Sequence, residues 1–121
     1  MITKGHRVFV YGTLRRGESN HHYLQHCQKL GEWRTPPCYT LFDLGPYPAL
    51  VLGTHSIFGE VYQVDEQTLV ALDELEDVPL EYRRAEVITP FGAAWIYLYQ
   101  NEQALSKVIP SGDWCQRREM L

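Results

Sequence analysis

The chain has 121 residues, of which 45% are hydrophobic and 21% are charged. This is enough for one domain with a sizeable core, and it argues against a disordered protein. The formal net charge of -4 argues against a protein that holds nucleic acid by its phosphates, because such binding needs a basic surface.

The first half of the chain alternates apolar runs with turn residues. Residues 7–11 are mostly apolar, β-branched or aromatic, which predicts a buried strand, and residues 12–19 follow as a loop. Asn20 is a suitable N-cap for a short helix over residues 20–28. Three more strands are predicted over residues 30–34, 39–44 and 49–52, separated by Pro36-Pro37 and by the turn Gly45-Pro46-Tyr47-Pro48.

The second half contains the clearest helix. Residues 57–64 alternate as a strand, and Asp65 then caps a helix over residues 66–75. Its apolar stripe consists of leucines at helical spacing, and Pro79 requires the helix to end soon after residue 75. Two further strands and a tail turn are predicted over residues 82–89, 93–100 and 110–114, with Pro90-Phe91-Gly92 as the hairpin loop.

These elements predict a single α+β domain over residues 1–121. Six to seven short strands dominate, and they lie on both sides of the helices in sequence. A closed or nearly closed sheet with the two helices packed outside it is the simplest arrangement, because closure removes exposed strand edges.

The loop after the first strand is the first candidate site. Gly12 and Gly17 permit backbone angles that other residues avoid, and Thr13 adds a hydroxyl group. Such a loop can direct several N–H groups at one carboxylate or oxyanion. A tight turn that only redirects the chain fits the same residues, and this segment alone favours that interpretation.

The end of the second helix is the other candidate site. Glu76 follows Leu72 by four residues, so it continues the buried stripe, whereas Glu74 faces water and Asp73 is intermediate. A carboxyl group at the edge of a core loses hydration, its pKa rises, and it can shuttle protons near neutral pH. A surface glutamate at a fraying helix end is the alternative.

Glu60 is the rival carboxylate. It shares a strand face with apolar residues, so it needs a partner if that face is internal. We expect a structural pairing with an arginine or with backbone N–H groups.

Two other patterns favour ordinary structural roles. His22 and His26 stand four residues apart, as metal ligands do on a helix, but no glutamate of the zinc-protease pattern accompanies them. We therefore expect a solvated helix face and no metal. Trp95, Tyr97 and Tyr99 share one strand face, which fits core packing or the lining of a pocket.

The cysteines and the chain start bear on localisation. Cys27, Cys38 and Cys115 are odd in number, far apart and form no CxxC pair, so we expect free thiols in a reducing cytoplasm. Neither an apolar signal segment nor a run long enough to span a bilayer is found, so no membrane partner is expected. No pattern indicates an oligomeric state.

Taken together, the motifs resemble the gamma-glutamylcyclotransferase-like family, and the ending Ser111-Gly112-Asp113-Trp114 resembles its small stand-alone bacterial members. The resemblance covers nearly the whole chain in order. It rests on Tyr11-Gly12-Thr13-Leu14-Arg15-Arg16-Gly17, Gly45-Pro46-Tyr47-Pro48-Ala49, Gly59-Glu60-Val61-Tyr62, Leu72-Asp73-Glu74-Leu75-Glu76 and Pro79-Leu80-Glu81-Tyr82-Arg83-Arg84.

The resemblance implies a fold and a reaction. The fold is a small barrel of mixed strand direction with surrounding helices. In the reaction, the α-amino group of a γ-glutamyl compound attacks its own side-chain carbonyl, giving 5-oxoproline and a free amine without cofactor or metal. By motif, Glu76 takes the general acid/base role, and substrate binding falls to Tyr11, Gly12, Thr13, Leu14 and Tyr82.

Two other functions remain open at this point. A non-catalytic protein of the same fold could bind a small amino-acid-like ligand, since fold does not guarantee activity. A protein–protein interaction module is the third candidate function. The sequence shows no exposed apolar stripe that would support it. The identity of the γ-glutamyl substrate lies beyond the sequence.

Overall fold

The computed structural model describes residues 5–117. Seven β-strands, one α-helix and three short 3-10 turns occur in this range. The strands are β1 (His6–Val10), β2 (Gln28–Arg34), β3 (Tyr39–Asp43), β4 (Pro48–Leu52), β5 (Phe58–Val64), β6 (Tyr82–Thr89) and β7 (Gly92–Tyr99). The helix α1 (Glu66–Leu75) lies between β5 and β6, and the 3-10 turns are His21–Leu24, Glu102–Ala104 and Trp114–Gln116.

The strands form two sheets. Five of them lie in the order β2-β5-β1-β7-β6, and β3 pairs with β4 in a separate hairpin. β1 is parallel to β7, whereas the other pairs are antiparallel. The mixed α+β fold is therefore confirmed.

The predicted closed barrel is not confirmed, because the five-stranded sheet of the described residues ends at β2 and β6. Where β4 begins, Pro48 has no N–H for a ladder, and its carbonyl accepts a hydrogen bond from the Tyr82 hydroxyl at 2.6 Å. Side chains rather than strand pairing join the two sheets at this point.

The central strand β1 is covered on both faces. Phe9 packs in one core cluster with Leu41 of β3, Leu50 of β4 and Trp114. Val8 and Val10 point to the other face and pack in a second cluster that includes Leu69 and Leu72 of α1. This double coverage explains why three consecutive residues of β1 are all buried.

Helix α1 forms as the sequence predicts. The Asp65 carboxylate accepts the Thr68 N–H at 2.8 Å and so caps the first turn. Leu69 and Leu72 are buried, and the helix ends at Leu75 with Glu76 as its C-cap. Within residues 5–117, no helix combines the length and the apolar character that crossing a bilayer would require.

The predicted helix over residues 20–28 is wrong. Only the single 3-10 turn His21–Leu24 forms, and β2 already begins at Gln28, where it pairs with Gln63 of β5. Asn20 makes no capping hydrogen bond with its side chain. Its amide donates to the Thr13 hydroxyl at 3.0 Å instead, so tertiary contacts override the local helix signal.

A buried ionic network fastens the loop after β1. Arg15 pairs with Glu60 of β5 (Nε to Oε2, 3.2 Å) and with Asp113 near the end of the described chain (Nη1 to Oδ1, 2.6 Å). Glu60 also accepts the Arg16 N–H at 3.0 Å and the Tyr62 hydroxyl at 2.8 Å. The structural pairing expected for Glu60 is therefore present.

We expect Arg15→Met to lower the free energy of unfolding by about 3 kcal/mol, because it leaves buried carboxylates without their cation. Urea unfolding of the variant and the wild type at neutral pH measures this difference. Arg16→Met is the matched control, since that side chain is exposed and its loss should change stability by less than about 0.5 kcal/mol. Equal effects of the two substitutions would contradict a stabilising role for the network.

Candidate active site

One cavity brings together all six residues that the resemblance assigns to the site. Its empty volume, counted out to open solvent, is about 350 Å³. It lies where β1 ends, between the start of β4, the end of α1 and the inner faces of β6 and β7. The lining comprises Phe9, Val10, Tyr11, Gly12, Thr13, Leu14, Tyr47, Pro48, Glu76, Tyr82 and Tyr97.

The loop after β1 lines this cavity and carries free backbone donors. The N–H groups of Gly12, Thr13 and Leu14 have no hydrogen-bond acceptor within residues 5–117. The hydroxyl of Thr13 accepts the Asn20 amide, which leaves its own proton free to donate. Free donors in a loop that lines a cavity are the kind of group that stabilises a carboxylate or an oxyanion.

Gly12 is required for a different reason from the one that the sequence indicated. Its φ angle is not positive, whereas Gly17 has a φ of 87° as expected. A Cβ atom on Gly12 would overlap the ring of Pro48. The glycine therefore lets the loop approach the start of β4 closely, which brings two walls of the cavity together.

Glu76 is positioned by the end of α1. Asp77 follows it in the left-handed conformation, with a φ of 52°. The Val78 N–H returns to the Asp73 carbonyl at 3.0 Å, and the Asp77 N–H returns to the Glu74 carbonyl at 3.2 Å. These two bonds form a Schellman motif, which ends the helix after Leu75 and holds Glu76 in place as its C-cap.

Burial changes the acidity of Glu76. Loss of hydration, together with the nearby carboxylate of Glu81, raises the pKa of Glu76 from 4.5 to about 7. A carboxyl group with a pKa near neutrality is well suited to take up a proton and return it. The acidic residues just before Glu76 have other environments: Glu74 is exposed, and Asp73 accepts a hydrogen bond from the Tyr97 hydroxyl.

Glu60 has the opposite environment. Burial opposes its ionisation, but hydrogen bonds from the Arg16 N–H, the Tyr62 hydroxyl and Arg15 outweigh burial and lower its pKa. A carboxylate that is held ionised by three donors is a poor proton shuttle. Glu60 also does not line the cavity.

Three buried tyrosines build the walls of the cavity. The Tyr11 hydroxyl donates to the Tyr97 carbonyl at 2.6 Å, and the Tyr82 hydroxyl donates to the Pro48 carbonyl at 2.6 Å. Tyr97 in turn donates to the Asp73 carboxylate at 2.7 Å. Burial raises the pKa of all three tyrosines, so they remain neutral and act as walls and hydrogen-bond donors.

Part of the lining of the cavity was not predicted from the sequence. Tyr47 and Pro48 lie in the proline turn, which contributed to the resemblance but received no site role. The Tyr47 hydroxyl donates to Glu81 Oε2 at 2.8 Å, which raises the pKa of Tyr47 to about 12. Tyr97 combines the two roles left open for its strand face, since it packs in the core and also lines the cavity.

The histidine pair lies on an exposed part of the surface. No group of three or more potential metal ligands occurs among residues 5–117. His22 and His26 are exposed, as expected for a solvated face, and the His26 ring contacts the Thr68 hydroxyl at 3.1 Å.

Comparisons with known proteins identify the family of this chain. A sequence model of the family described as "Gamma-glutamyl cyclotransferase, AIG2-like" matches residues 8–116. A Vibrio cholerae relative is 65% identical over 93% of this chain and 97% of its own length. The gamma-glutamylcyclotransferase family protein YtfP of Escherichia coli is 43% identical over 92% of this chain and 97% of its own length.

A solved structure extends the match to three dimensions. The crystal structure of an uncharacterized protein from Pyrococcus horikoshii superposes with a TM-score of 0.83 and 35% identity, covering 95% of this chain and 94% of the other. Similarity of this extent in sequence and in fold establishes that the chain belongs to the gamma-glutamyl cyclotransferase, AIG2-like family.

Proposed function

We propose that this protein is an enzyme that cyclises a γ-glutamyl compound to 5-oxoproline and releases a free amine. The observation that carries the proposal is the pairing, in one cavity, of Glu76 with the free N–H groups of the loop after β1. Membership of the family supports the same reaction class. The three cysteines are free, which fits a cytoplasmic location.

The reaction asks little of the protein, because the nucleophile is part of the substrate. The cavity has to select the folded conformer in which the α-amino nitrogen approaches the side-chain carbonyl carbon. Holding reacting groups in this way contributes on the order of several kcal/mol. Tyr11 and Tyr82 would form the walls that favour this conformer.

Glu76 would move the protons. Its carboxylate takes a proton from the α-ammonium group, and the freed nitrogen lone pair forms the new bond to the side-chain carbonyl carbon. Glu76 then protonates the nitrogen of the leaving amine, and the old carbon–nitrogen bond breaks. The excess proton of the ring nitrogen follows the same route, so the amine leaves as an ammonium ion and the ring keeps one N–H.

The loop would stabilise the intermediate. Negative charge develops on the carbonyl oxygen as the ring closes, and the N–H groups of Gly12, Thr13 and Leu14 are the donors available to it. Every step uses side-chain and backbone groups of the protein alone.

Glu76→Gln should abolish turnover, with a loss of at least about 100-fold in kcat, because shape is kept and proton transfer is lost. The measurement is 5-oxoproline release from a panel of γ-glutamyl amides. Glu74→Gln is the matched control, since it removes one exposed carboxylate two residues away and should keep full activity. Full activity of Glu76→Gln would remove Glu76 from the mechanism. No release by the wild type would favour a small-ligand-binding protein of the same fold.

The pH dependence of kcat/KM should follow the ionisation of Glu76. The base form is the carboxylate, so kcat/KM should rise as the pH increases through about 7. Initial rates with one active γ-glutamyl amide, measured in buffers of constant ionic strength, give the apparent pKa. A rise centred near 4.5 would show that the carboxyl group is not desolvated in the free enzyme.

The substitution Glu76→Gln should also stabilise the protein above neutral pH. Between about 4.5 and 7 the folded wild type binds more protons at Glu76 than the unfolded chain does, so its stability falls as the pH rises through this interval. Glutamine does not ionise, so Glu76→Gln should gain about 1–3 kcal/mol over the wild type at about pH 8 and almost nothing at about pH 4. Chemical denaturation of both proteins at both pH values measures this difference. A difference in the free energy of unfolding that is the same at the two pH values would contradict the prediction.

A further inference from the structure

A second cavity adjoins the first. It has an empty volume of about 400 Å³ and shares four lining residues with the first cavity, Glu76 among them. Its additional lining residues are Asn20, Leu75 and Glu81. We call it the outer cavity.

The proposed reaction determines what the outer cavity would hold. Glu76 protonates the leaving nitrogen, so that nitrogen has to lie within reach of its carboxyl group. The first cavity would hold the glutamyl part of the substrate against the loop after β1. The remainder of the amine then extends beyond Glu76, and the outer cavity, which Glu76 also lines, is the adjoining space.

The charged side chains that line the outer cavity are all acidic. Glu76 and Glu81 are the ionisable carboxyl groups in its lining, and no lysine or arginine lines it among residues 5–117. Arg84, three residues after Glu81, points elsewhere: it pairs with Asp73 at 3.3 Å and stacks over the Trp95 ring at 4.5 Å.

Glu81 is held in place in the lining of the outer cavity. Its N–H donates to the Asp77 carbonyl at 2.8 Å, and its carbonyl accepts the Gln100 N–H at 2.9 Å. Tyr47 donates to one carboxylate oxygen, Oε2. The other oxygen, Oε1, has no hydrogen-bond donor within the described residues, so it is available to a ligand.

We propose that the outer cavity is the leaving-amine subsite and that Glu81 makes it selective for amines that carry a second, cationic group. This inference rests on the proposed function and names the class of substrate for it. A cation near Glu81 would meet one carboxylate oriented by Tyr47 and no competing basic side chain. A partly exposed ion pair of this kind changes affinity modestly, so we expect about a fivefold preference in kcat/KM.

The test compares pairs of substrates that differ in one charge. Each pair consists of a γ-glutamyl ω-aminoalkyl amide and the n-alkyl amide in which a methyl group replaces the terminal ammonium. The ratio of kcat/KM within a pair is the readout, because an effect of Glu81 on the acidity of Glu76 changes both members alike and cancels. A series of chain lengths locates the best distance from the scissile bond to the cation.

We expect the wild type to prefer the cationic member about fivefold, Glu81→Gln to lose this preference, and Glu74→Gln to retain it. Higher ionic strength should weaken the preference of the wild type, a result that needs no variant to fold. Equal rates for both members in the wild type, or a preference that survives in Glu81→Gln, would overturn the inference and leave the proposed function standing. Absence of 5-oxoproline from every pair would overturn the proposed function and the inference with it.

Discussion

The buried carboxylate of Glu60 holds the loop on which the candidate site depends. It accepts the N–H of Arg16 and pairs with the side chain of Arg15, so both residues of the loop are tied to β5. Asp113 closes the network from the far end of the described chain. Because these contacts fasten the loop, its free N–H groups keep their position beside the cavity, whereas a solvated loop would rearrange to satisfy them.

Glu60, which is buried, and Glu76, which is half-buried, illustrate how environment assigns chemical roles. Glu60 and Glu76 both lose hydration, which alone favours the protonated form of each. Hydrogen-bond donors around Glu60 reverse this effect, whereas Glu76 has another carboxylate, Glu81, as its charged neighbour. The same side chain is therefore a permanent anion that holds structure in one place and a group poised to exchange protons in the other.

Sequence patterns correctly predicted the features that depend on residues close together in the chain. The cap at Asp65, the leucine stripe of α1 and the position of Glu76 follow from spacing along one helix, and the structure agrees with them. The lining role of Tyr47 could not be predicted, because its partner Glu81 lies 34 residues away. The division of the described strands into two sheets, and the 3-10 turn in place of a helix after Asn20, likewise depend on pairings between distant segments.

The span of the Arg15 network has a consequence for biosynthesis. Arg15 and Asp113 are 98 positions apart, and Glu60 lies between them. On the ribosome, β1 and its loop emerge first, yet their last ionic partner is translated only near the end of the described chain. Domains with such long-range contacts complete their packing late. A nascent chain can thus build much of its sheet while its prospective ligand pocket still lacks one of the charges that hold it together.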